Sequence, residues 1–343
     1  IRLLFLGATA YIADLVLLAK KQGIYTIVTD YYKNAPAKKV ADEYYDVSTV
    51  DLDELEKIAV NSKVDGIATG FSDVNLAMAQ KLCEKLGMPF YANHEQVQKT
   101  TNKLEFKKLC RECGVPTARQ YHIDSTLSES DLGEIIYPVI IKPADSYGSK
   151  GISVCKNEKE LKEAYANALN FSNAAQVVVE QFITGYDDVC MYYTIQNGFI
   201  SLSAMTDRDM NTEQKGKAPQ PNGLFYPSKR LKQYYDQIHE NVCKLIRRLG
   251  IMNGTMFIQS FANDQEFVVF EMGYRLCGAA EYIIINEENG INNAEMYINY
   301  ALTGEFSGYD VEKKDNPFFK HHYCILLSLL RSGKIAEIQE LEE

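Results

Sequence analysis

Short apolar runs alternate with helical patterns through the first 93 residues of the chain. The apolar runs occupy 3–8, 25–30, 66–70 and 89–93, and the helical patterns between them occupy 11–22, 51–61 and 73–86. Strands and helices that alternate in this way predict a parallel sheet covered by helices. The chain is therefore expected to begin with an α/β domain, which we place at residues 1–94.

A dinucleotide site is the first function that such a domain suggests. Gly7 follows the first predicted strand and Asp30 follows the second, as in Rossmann domains that bind NAD. The residues after Gly7 read ATAYI, however, so the second and third glycines of the G-x-G-x-x-G motif are absent. We therefore interpret residues 1–94 as a Rossmann-like supporting domain rather than a nicotinamide site.

Composition disfavours several classes of function. The chain of 343 residues carries a net charge of −10, which argues against nucleic acid or an anionic membrane as its main partner. No apolar run approaches the roughly 18 residues that a membrane-spanning helix needs. The eight cysteines form no evident disulfide framework, and reduced thiols are typical of the cytoplasm. We therefore expect a cytoplasmic protein.

Cysteine and histidine spacing gives no metal signature. Cys110 and Cys113 form a C-x-x-C pair near a predicted helix end at Gly114. A zinc site would need a second such pair or two suitably spaced histidines, so we interpret both thiols, and the five histidines, as core or surface residues. The sequence also starts without methionine and ends on ELEE, as a fragment that lacks its C-terminal segment would.

Beyond residue 94 the patterns become richer in strands. Helical segments fill 95–114, and Asn197-Gly198 separates two strand runs, which is the strongest short-range signal for a β-hairpin. Residues 206–228 are polar and contain several glycines and prolines, so we predict a long loop there. The other predicted strands are 138–142, 152–155, 177–181, 254–261 and 266–272, and the other predicted helices lie near 158–169, 229–249, 293–302 and 321–332.

A loop with two glycines follows a predicted strand in the stretch VIIKPADSYGSKGISV, residues 139–154. Lys142 ends the strand, and Gly148 and Gly151 lie in the loop before the next strand. Small residues let backbone N–H groups approach phosphate oxygens closely, and a lysine adds a mobile positive charge. A Walker A motif is excluded because it continues into a helix. The loop indicates a hairpin over phosphates, with an ordinary β-turn as the alternative.

The order of the charged residues extends this pattern along the chain. The sequence resembles the ATP-grasp superfamily in the succession of Lys103, Lys142, the glycine loop, Glu180, Asp188, Gln259, Glu271 and Arg275. It most resembles the branch of carbamoyl phosphate synthetase large subunits, biotin carboxylase and amino-acid ligases. The resemblance implies an α/β and α+β fold with a Rossmann-like pre-ATP-grasp domain, a small lid subdomain and a C-terminal antiparallel-sheet domain. The implied boundaries are 1–94, 95–184 with the lid at about 115–182, 185–310, and a helical tail at 311–343.

The resemblance also implies which residues contact ATP. They are Lys103, Lys142, Ser146, Tyr147, Gly148, Ser149, Gly151, Glu180, Gln181, Phe182, Ile183, Asp188 and Phe257. The lysines would neutralise phosphate charge, the loop up to Gly151 would cover the β- and γ-phosphates, and the backbone of 180–183 would bind the adenine edge. Asp188, or alternatively its neighbour Asp187, would hold the ribose. Phe257, or alternatively Met256, would pack on the adenine face.

A Mg²⁺ site is implied on two adjacent strands. Gln259 and Glu271 would supply the oxygen ligands that this ion prefers when it bridges phosphates. The family motif E-x-N-x-R has glycine, Gly273, in place of its asparagine, so one ligand is missing. Arg275, which ends the motif, would bind the γ-phosphate or a developing acyl phosphate through its fork of donors. Arg275 and Lys142 are thus the implied catalytic residues.

The implied activity is an ATP-dependent ligation of a carboxylate with an amine or similar nucleophile. ATP would phosphorylate the carboxylate, and the nucleophile would displace phosphate from the acyl phosphate. Arg208, Lys229 and Arg275 are expected to contact an anionic substrate. The implied partners are small-molecule carboxylates and amines, without nucleic acid or membrane, and homodimers are common in this superfamily. The alternative is a regulatory ATP-binding protein with a weakened metal site.

Overall fold

The first sheet of the molecule is parallel. The computed structural model describes residues 1–145, 150–172, 174–211 and 220–327. Its first elements are β1 (Arg2–Leu6), α1 (Ala10–Lys21), β2 (Tyr25–Thr29), a 3₁₀ helix (Pro36–Lys39), β3 (Glu43–Tyr45), α2 (Leu52–Asn61), β4 (Gly66–Ala68) and α3 (Asp73–Leu86). The strands lie in the order β3-β2-β1-β4. The predicted α/β domain is confirmed, and β3 is a strand that the sequence pattern did not indicate.

Capping side chains fix where these helices begin and end. Ser72 caps α3 by accepting a hydrogen bond from the N–H of Asn75, which satisfies one of the free donors of the first turn. Gly87 ends the same helix with a φ of 66°, in the left-handed region that glycine adopts without strain. The N-terminal cap places Asp73 in the first turn of α3, beyond the short loop that follows the carboxyl end of β4.

The prediction of a strand at 89–93 is wrong. The segment belongs to no strand, and Tyr91 instead packs edge-on against Tyr274, with ring centroids 5.1 Å apart. The Tyr91 hydroxyl donates to the Tyr274 carbonyl oxygen at 3.2 Å, and the Tyr274 hydroxyl donates to the Tyr91 carbonyl oxygen at 3.0 Å. The apolar character of this segment therefore serves a contact with the C-terminal half of the chain.

Two helices, α4 (His94–Thr101) and α5 (Lys103–Cys113), lead to a second, antiparallel sheet. Its elements are β5 (Gln120–Tyr121), α6 (Glu129–Gly133), β6 (Val139–Pro143), β7 (Ser153–Cys155), α7 (Glu158–Leu169) and β8 (Val177–Gln181). The strands lie in the order β5-β8-β6-β7 and share a small hydrophobic core of their own with α7. This arrangement confirms the expected small antiparallel subdomain.

The third sheet is antiparallel and larger. Its strands are β9 (Asp187–Gln196), β10 (Phe199–Asn211), β11 (Gln220–Tyr226), β12 (Gly254–Ala262), β13 (Phe267–Gly273) and β14 (Tyr323–Leu326), in the order β13-β12-β9-β10-β11-β14. The helices of this part are α8 (Leu231–Gln237), α9 (His239–Arg248), α10 (Glu281–Asn289), α11 (Asn293–Thr303) and α12 (Val311–Lys314). Asn197 and Gly198 form the predicted hairpin turn, with φ of 51° and 83°. Across the described residues, no helix combines the length and the apolar character that a membrane crossing requires.

Three predictions for this part of the chain are wrong in extent or type. Strands β10 and β11 pair within the predicted loop 206–228, and residues 212–219 of that loop lie outside the described part. The helix predicted at 229–249 is interrupted at Ile238, whose φ of −134° and ψ of −7° leave the helical range. The predicted helix near 321–332 is replaced, over its described residues, by β14, which covers the open edge of β11.

Helix α11 packs against β4 and so joins the first sheet to the C-terminal part. A Cβ at Gly66 would lie 2.3 Å from the carbonyl oxygen of Ala301 on that helix. A carbonyl oxygen of a helix cannot move away as a flexible side chain would. The close approach of strand and helix therefore requires glycine at this position.

We expect Gly66→Ala to lower the free energy of unfolding by about 1–3 kcal/mol, the usual cost of overpacking. Urea denaturation measures this change. Gly133→Ala is the matched control, because a Cβ there meets no atom within 4 Å. Equal stability of the two variants would contradict the close packing of α11 on β4.

Candidate functional site

A cavity of about 1400 Å³ lies between the second and third sheets. The predicted site residues that line it are Lys103, Lys142, Glu180, Gln181, Phe182, Ile183, Asp188, Arg208, Lys229, Gln259, Glu271 and Arg275. The fold thus brings together side chains from widely separated parts of the sequence. Gly151 and Phe257 do not line the cavity. The predicted loop residues Ser146, Tyr147, Gly148 and Ser149 lie outside the described residues.

Glu180, on β8, is a buried carboxylate held between two ammonium groups. One of its oxygens lies 2.8 Å from Nζ of Lys107, and the other lies 3.1 Å from Nζ of Lys142. The side chains of Glu180 and Lys107 are each 2% exposed, whereas that of Lys142 is 14% exposed and lines the cavity. Burial raises the pKa of the Glu180 carboxyl, but Lys142 and Lys107 outweigh it and hold this pKa below its ordinary value.

Lys107 is absent from the sequence-based predictions, although the sequence held a signal for it. Lys103 and Lys107 are one helical turn apart on α5 and so point to the same side of the helix. The neighbouring Cys110 and Cys113 are buried, which supports their interpretation as packing residues. A lysine among buried residues needs a buried partner. Burial lowers the pKa of the Lys107 ammonium group, and Glu180 opposes this effect.

Lys103 stands at the start of α5 and lines the same cavity as Lys142. Its backbone N–H donates to the Ala144 carbonyl oxygen at 3.0 Å, which ties α5 to the end of β6. Burial lowers the pKa of its ammonium group, while Glu271 raises this pKa and the positive charge of Lys142 lowers it further. Two ammonium groups that line one cavity and repel each other create a favourable binding position for an anion.

The segment 180–183 runs along the cavity after β8. The N–H of Gln181 donates to the Arg119 carbonyl oxygen at 2.9 Å, and the N–H of Phe182 donates to the Pro138 carbonyl oxygen at 3.1 Å. Both donors are therefore already used within the protein. A planar base that lies against this segment would have to form hydrogen bonds with the carbonyl oxygens of the segment and with the groups of Ile183.

Asp188 and Arg208 pair across β9 and β10. Nη1 of Arg208 donates to the Asp188 carboxylate at 3.0 Å, and both side chains are largely buried. Burial raises the pKa of Asp188 to about 6, with Arg208 lowering it and the nearby Glu271 raising it. Asp188 therefore carries a negative charge at neutral pH and becomes neutral in mildly acidic solution.

Asp187, the alternative residue for the ribose, also lines the cavity, and its side chain is 36% exposed. Its carboxylate is 3.1 Å from Nζ of Lys229 and 2.6 Å from Nη2 of Arg230. Two of the three cations predicted to meet an anionic substrate, Arg208 and Lys229, are thus paired with an aspartate. An anionic substrate would have to share or displace these partners.

Gln259 and Glu271 are direct partners across β12 and β13. A bulge follows Gln259 in this ladder, so that β13 carries an extra residue, Phe270, before Glu271. Phe270 lines the cavity together with Phe261, and their rings stack with centroids 4.4 Å apart. Bulges commonly redirect side chains next to functional sites. This one places an aromatic wall beside two oxygen donors that suit a small divalent cation.

Arg275 forms a two-pronged ion pair with Asp73 in the first turn of α3. Nε lies 2.6 Å from one Asp73 oxygen and Nη2 lies 3.0 Å from the other, while Nη1 donates to the Leu276 carbonyl oxygen at 3.1 Å. Asp73 is a further residue that the sequence-based predictions lack. Its signal was its place after β4, because the carboxyl ends of parallel strands gather at a common edge.

Phe257 packs against Arg275. The residue is 4% exposed, and the centroid of its ring lies 5.0 Å from Cζ of Arg275. Phe257 does not line the cavity, and neither does Met256, the alternative, which is also buried. A contact of either residue with adenine stays a prediction. Phe261 and Phe270 line the cavity and are therefore better placed than Phe257 to pack on a base.

The ring of Phe257 leaves no room for a side chain at Gly273. A Cβ at residue 273 would lie 2.3 Å and 2.5 Å from two ring atoms of Phe257, which is far inside van der Waals contact. The ring occupies the space that a larger side chain would need. The glycine that replaces the asparagine of the E-x-N-x-R motif thus makes room for the Phe257 ring, which packs against Arg275.

We expect Gly273→Ala to lower the free energy of unfolding by about 1–3 kcal/mol, because the added methyl group meets the Phe257 ring. In the Phe257→Ala background the same substitution should cost little, since the ring is gone. Urea denaturation of the four proteins gives the coupling as a double-mutant cycle. The same cost in both backgrounds would contradict this packing.

Comparison with known sequences identifies relatives. The family model described as "Carbamoyl-phosphate synthase L chain, ATP binding domain" matches residues 102–305. Formate-dependent phosphoribosylglycinamide formyltransferase of Sulfurisphaera tokodaii is 32% identical over 190 residues, which are 53% of this chain and 47% of that protein. The enzyme of the same name from Mannheimia succiniciproducens is 26% identical over 263 residues, 75% of this chain and 65% of that protein. The chain thus spans about half to two thirds of the length of these curated relatives.

Solved structures share the fold. The biotin carboxylase domain of Hydrogenobacter thermophilus 2-oxoglutarate carboxylase, in complex with MgADP, ADP and bicarbonate, superposes with a TM-score of 0.77 at 19% identity, over 94% of this chain and 73% of that one. The L-amino acid ligase of Bacillus licheniformis superposes with a TM-score of 0.69 at 20% identity, over 88% and 74% of the two chains. These structures establish the fold, and the family match extends over more than half of the chain. This protein belongs to the family of the carbamoyl-phosphate synthase L chain ATP-binding domain, within the ATP-grasp superfamily.

Proposed function

We propose that this protein is an ATP-dependent ligase that joins a carboxylate to an amine or similar nucleophile through an acyl phosphate. The observation that carries the proposal is the single cavity in which Lys103, Lys142, Gln259 and Glu271 meet. Ammonium groups beside oxygen donors suit a nucleoside triphosphate with its divalent cation. Membership of an ATP-binding domain family supports ATP as the nucleotide.

Gln259 and Glu271 would hold Mg²⁺. Within the described ranges, no group of three or more His, Cys, Asp or Glu side chains could hold a metal ion. This fits Mg²⁺, because that ion keeps several waters and binds substrate phosphates instead of a closed protein cage. The Phe257 ring excludes a further ligand at residue 273. Bound there, the ion would supply charge neutralisation on the phosphate oxygens.

The protein's own residues would act by position and charge. Lys103 and Lys142 would bind phosphate oxygens, and Arg275, oriented by Asp73 and Phe257, would face the reacting groups. A carboxylate oxygen would attack the terminal phosphorus of ATP and release ADP. The amine would then attack the acyl carbon and release phosphate. No nucleophile from the protein is needed, since alignment and electrostatic stabilisation supply most of the catalysis.

A regulatory ATP-binding protein is the second candidate, and one observation favours it. All three nitrogens of the Arg275 guanidinium donate to Asp73 or Leu276. A catalytic role would require Arg275 to share these donors with phosphate. The two candidates therefore differ in turnover and not in nucleotide affinity.

Location and assembly are further parts of the proposal. All eight cysteines carry free thiols, and seven of them are buried. Reduced thiols of this kind are usual in a reducing compartment, and we propose the cytoplasm on that basis. We propose small-molecule carboxylates and amines as the substrates, and a homodimer as the assembly to be tested by light scattering.

The proposed reaction is tested by ADP release in the presence of Mg²⁺, ATP and a panel of carboxylates and amines. We expect at least one carboxylate and amine pair to accelerate ADP release and to yield an amide of the summed mass less water. Tight MgATP binding without turnover on any pair would favour the regulatory candidate. ADP release with a phosphorylated product and no amide would show a phosphotransferase instead.

Glu271→Gln is expected to weaken Mg²⁺-dependent nucleotide binding at least about tenfold, the lower end of the loss seen even for outer-shell partners of metal sites. The substitution removes the negative charge while keeping the shape of the side chain. Titration calorimetry with ATP at increasing Mg²⁺ concentration measures the effect. Glu305→Gln, on the exposed surface, is the matched control. Unchanged Mg²⁺ dependence in Glu271→Gln would reject this residue as a ligand.

Adenosine affinity is expected to fall as the pH is lowered through about 6, because Asp188 has its pKa raised to about 6 by burial. Protonation below that value removes the charge-assisted acceptor for a ribose hydroxyl. Adenosine is the suitable ligand because it has no phosphate that titrates in this range. Asp188→Asn should make the affinity independent of pH there. A pH step that persists in Asp188→Asn would assign it to another group.

A further inference from the structure

We infer that Lys107 is a positioning residue that makes Lys142 available to phosphate by neutralising Glu180. The inference rests on the proposed nucleotide site and adds a residue that does not touch the nucleotide. It starts from the buried cluster of Lys107, Glu180 and Lys142. Two positive charges and one negative charge in this cluster leave one net positive charge beside the cavity.

The two lysines lie on opposite sides of the carboxylate. Lys142 and Glu180 line the cavity, whereas Lys107 does not. Lys107 binds one oxygen of Glu180 at 2.8 Å from the protein interior, and Lys142 binds the other at 3.1 Å from the cavity side. With a side chain that is 2% exposed, Lys107 has no route to a bound phosphate. Any effect that it has on phosphate must pass through Glu180.

A buried carboxylate needs a counter-charge, and removal of its partner is strongly destabilising. If Lys142 were the sole partner of Glu180, a phosphate would have to compete with a buried carboxylate for the same ammonium group. Lys107 removes this competition, because Glu180 remains neutralised when Lys142 turns toward a phosphate. The positive charge of Lys142 can thus be used in the cavity without leaving a buried charge unpaired.

The surroundings of Lys107 keep it in place for this task. Its Nζ also donates to the Val269 carbonyl oxygen of β13 at 3.4 Å. Lys107 therefore links α5, β8 and β13, and β13 is the strand that carries Glu271. The ammonium group is held from two sides and cannot follow Lys142 when that residue changes partner.

The test compares the dissociation constants of ATP, ADP and adenosine for the wild-type protein and Lys107→Met by titration calorimetry. We expect ATP and ADP to bind at least about tenfold more weakly to the variant, which corresponds to about 1.4 kcal/mol. Adenosine should bind within about twofold of wild type, since it has no phosphate for Lys142 to contact. Lys162→Met, which removes an exposed lysine of the same charge, is the matched control and should change none of the three affinities.

A double-mutant cycle shows whether Lys107 acts through Glu180. Lys107→Met should not weaken ATP binding when it is added to Glu180→Gln, because there is no carboxylate to neutralise. If Lys107→Met does not fold, Lys107→Gln makes the same comparisons, since its amide can donate to Glu180 without a charge.

Three outcomes would overturn the inference. Unchanged ATP affinity in Lys107→Met would show that Lys107 has no such role. A parallel loss for ATP and adenosine would show a merely structural role. If Lys107→Met weakened ATP binding just as much in the Glu180→Gln background, Lys107 would not act through Glu180. Failure of the wild-type protein to bind ATP would instead reject the proposed function.

Discussion

The ion pair of Asp73 and Arg275 fastens the end of β13 to the start of α3, and the shape of the cavity depends on it. The reciprocal hydrogen bonds of Tyr91 and Tyr274 lie beside this pair, so two consecutive residues bind the N-terminal domain. Both charges are largely buried, and loss of either would leave the other without compensation. The ion pair and the tyrosine hydrogen bonds also hold Glu271 on the cavity wall that faces α4 and α5, the helices that follow Tyr91.

Four ion pairs of opposite charge lie around the cavity. The pairs are Lys142 with Glu180, Arg208 with Asp188, Lys229 with Asp187 and Arg275 with Asp73. A polyanion that binds here exchanges partners with these carboxylates, so its affinity depends on how each carboxylate is compensated afterwards. Lys107 matters in this account because it compensates Glu180 from the interior.

Local pattern predicted what local interactions determine. Helix α3 was predicted from the helical pattern at 73–86, and Lys103, Lys142 and Glu271, which were singled out by their order along the chain, line one cavity. The errors concern partners that are distant in sequence. Tyr91 packs against a residue 183 positions away, and β14 becomes a strand only because β11 offers it an edge. The contact of the Phe257 ring with Arg275 also depends on the neighbouring strand, since the ring occupies the space beside Gly273.

The most direct measurement of the central claim is a crystal structure of the protein with Mg²⁺ and a non-hydrolysable ATP analogue. We expect phosphates between Lys103 and Lys142, a Mg²⁺ ion bound by Gln259 and Glu271, and Lys142 displaced toward phosphate while Lys107 stays on Glu180. A nucleotide bound outside this cavity would contradict the proposed site. So would a Mg²⁺ ion bound without Glu271.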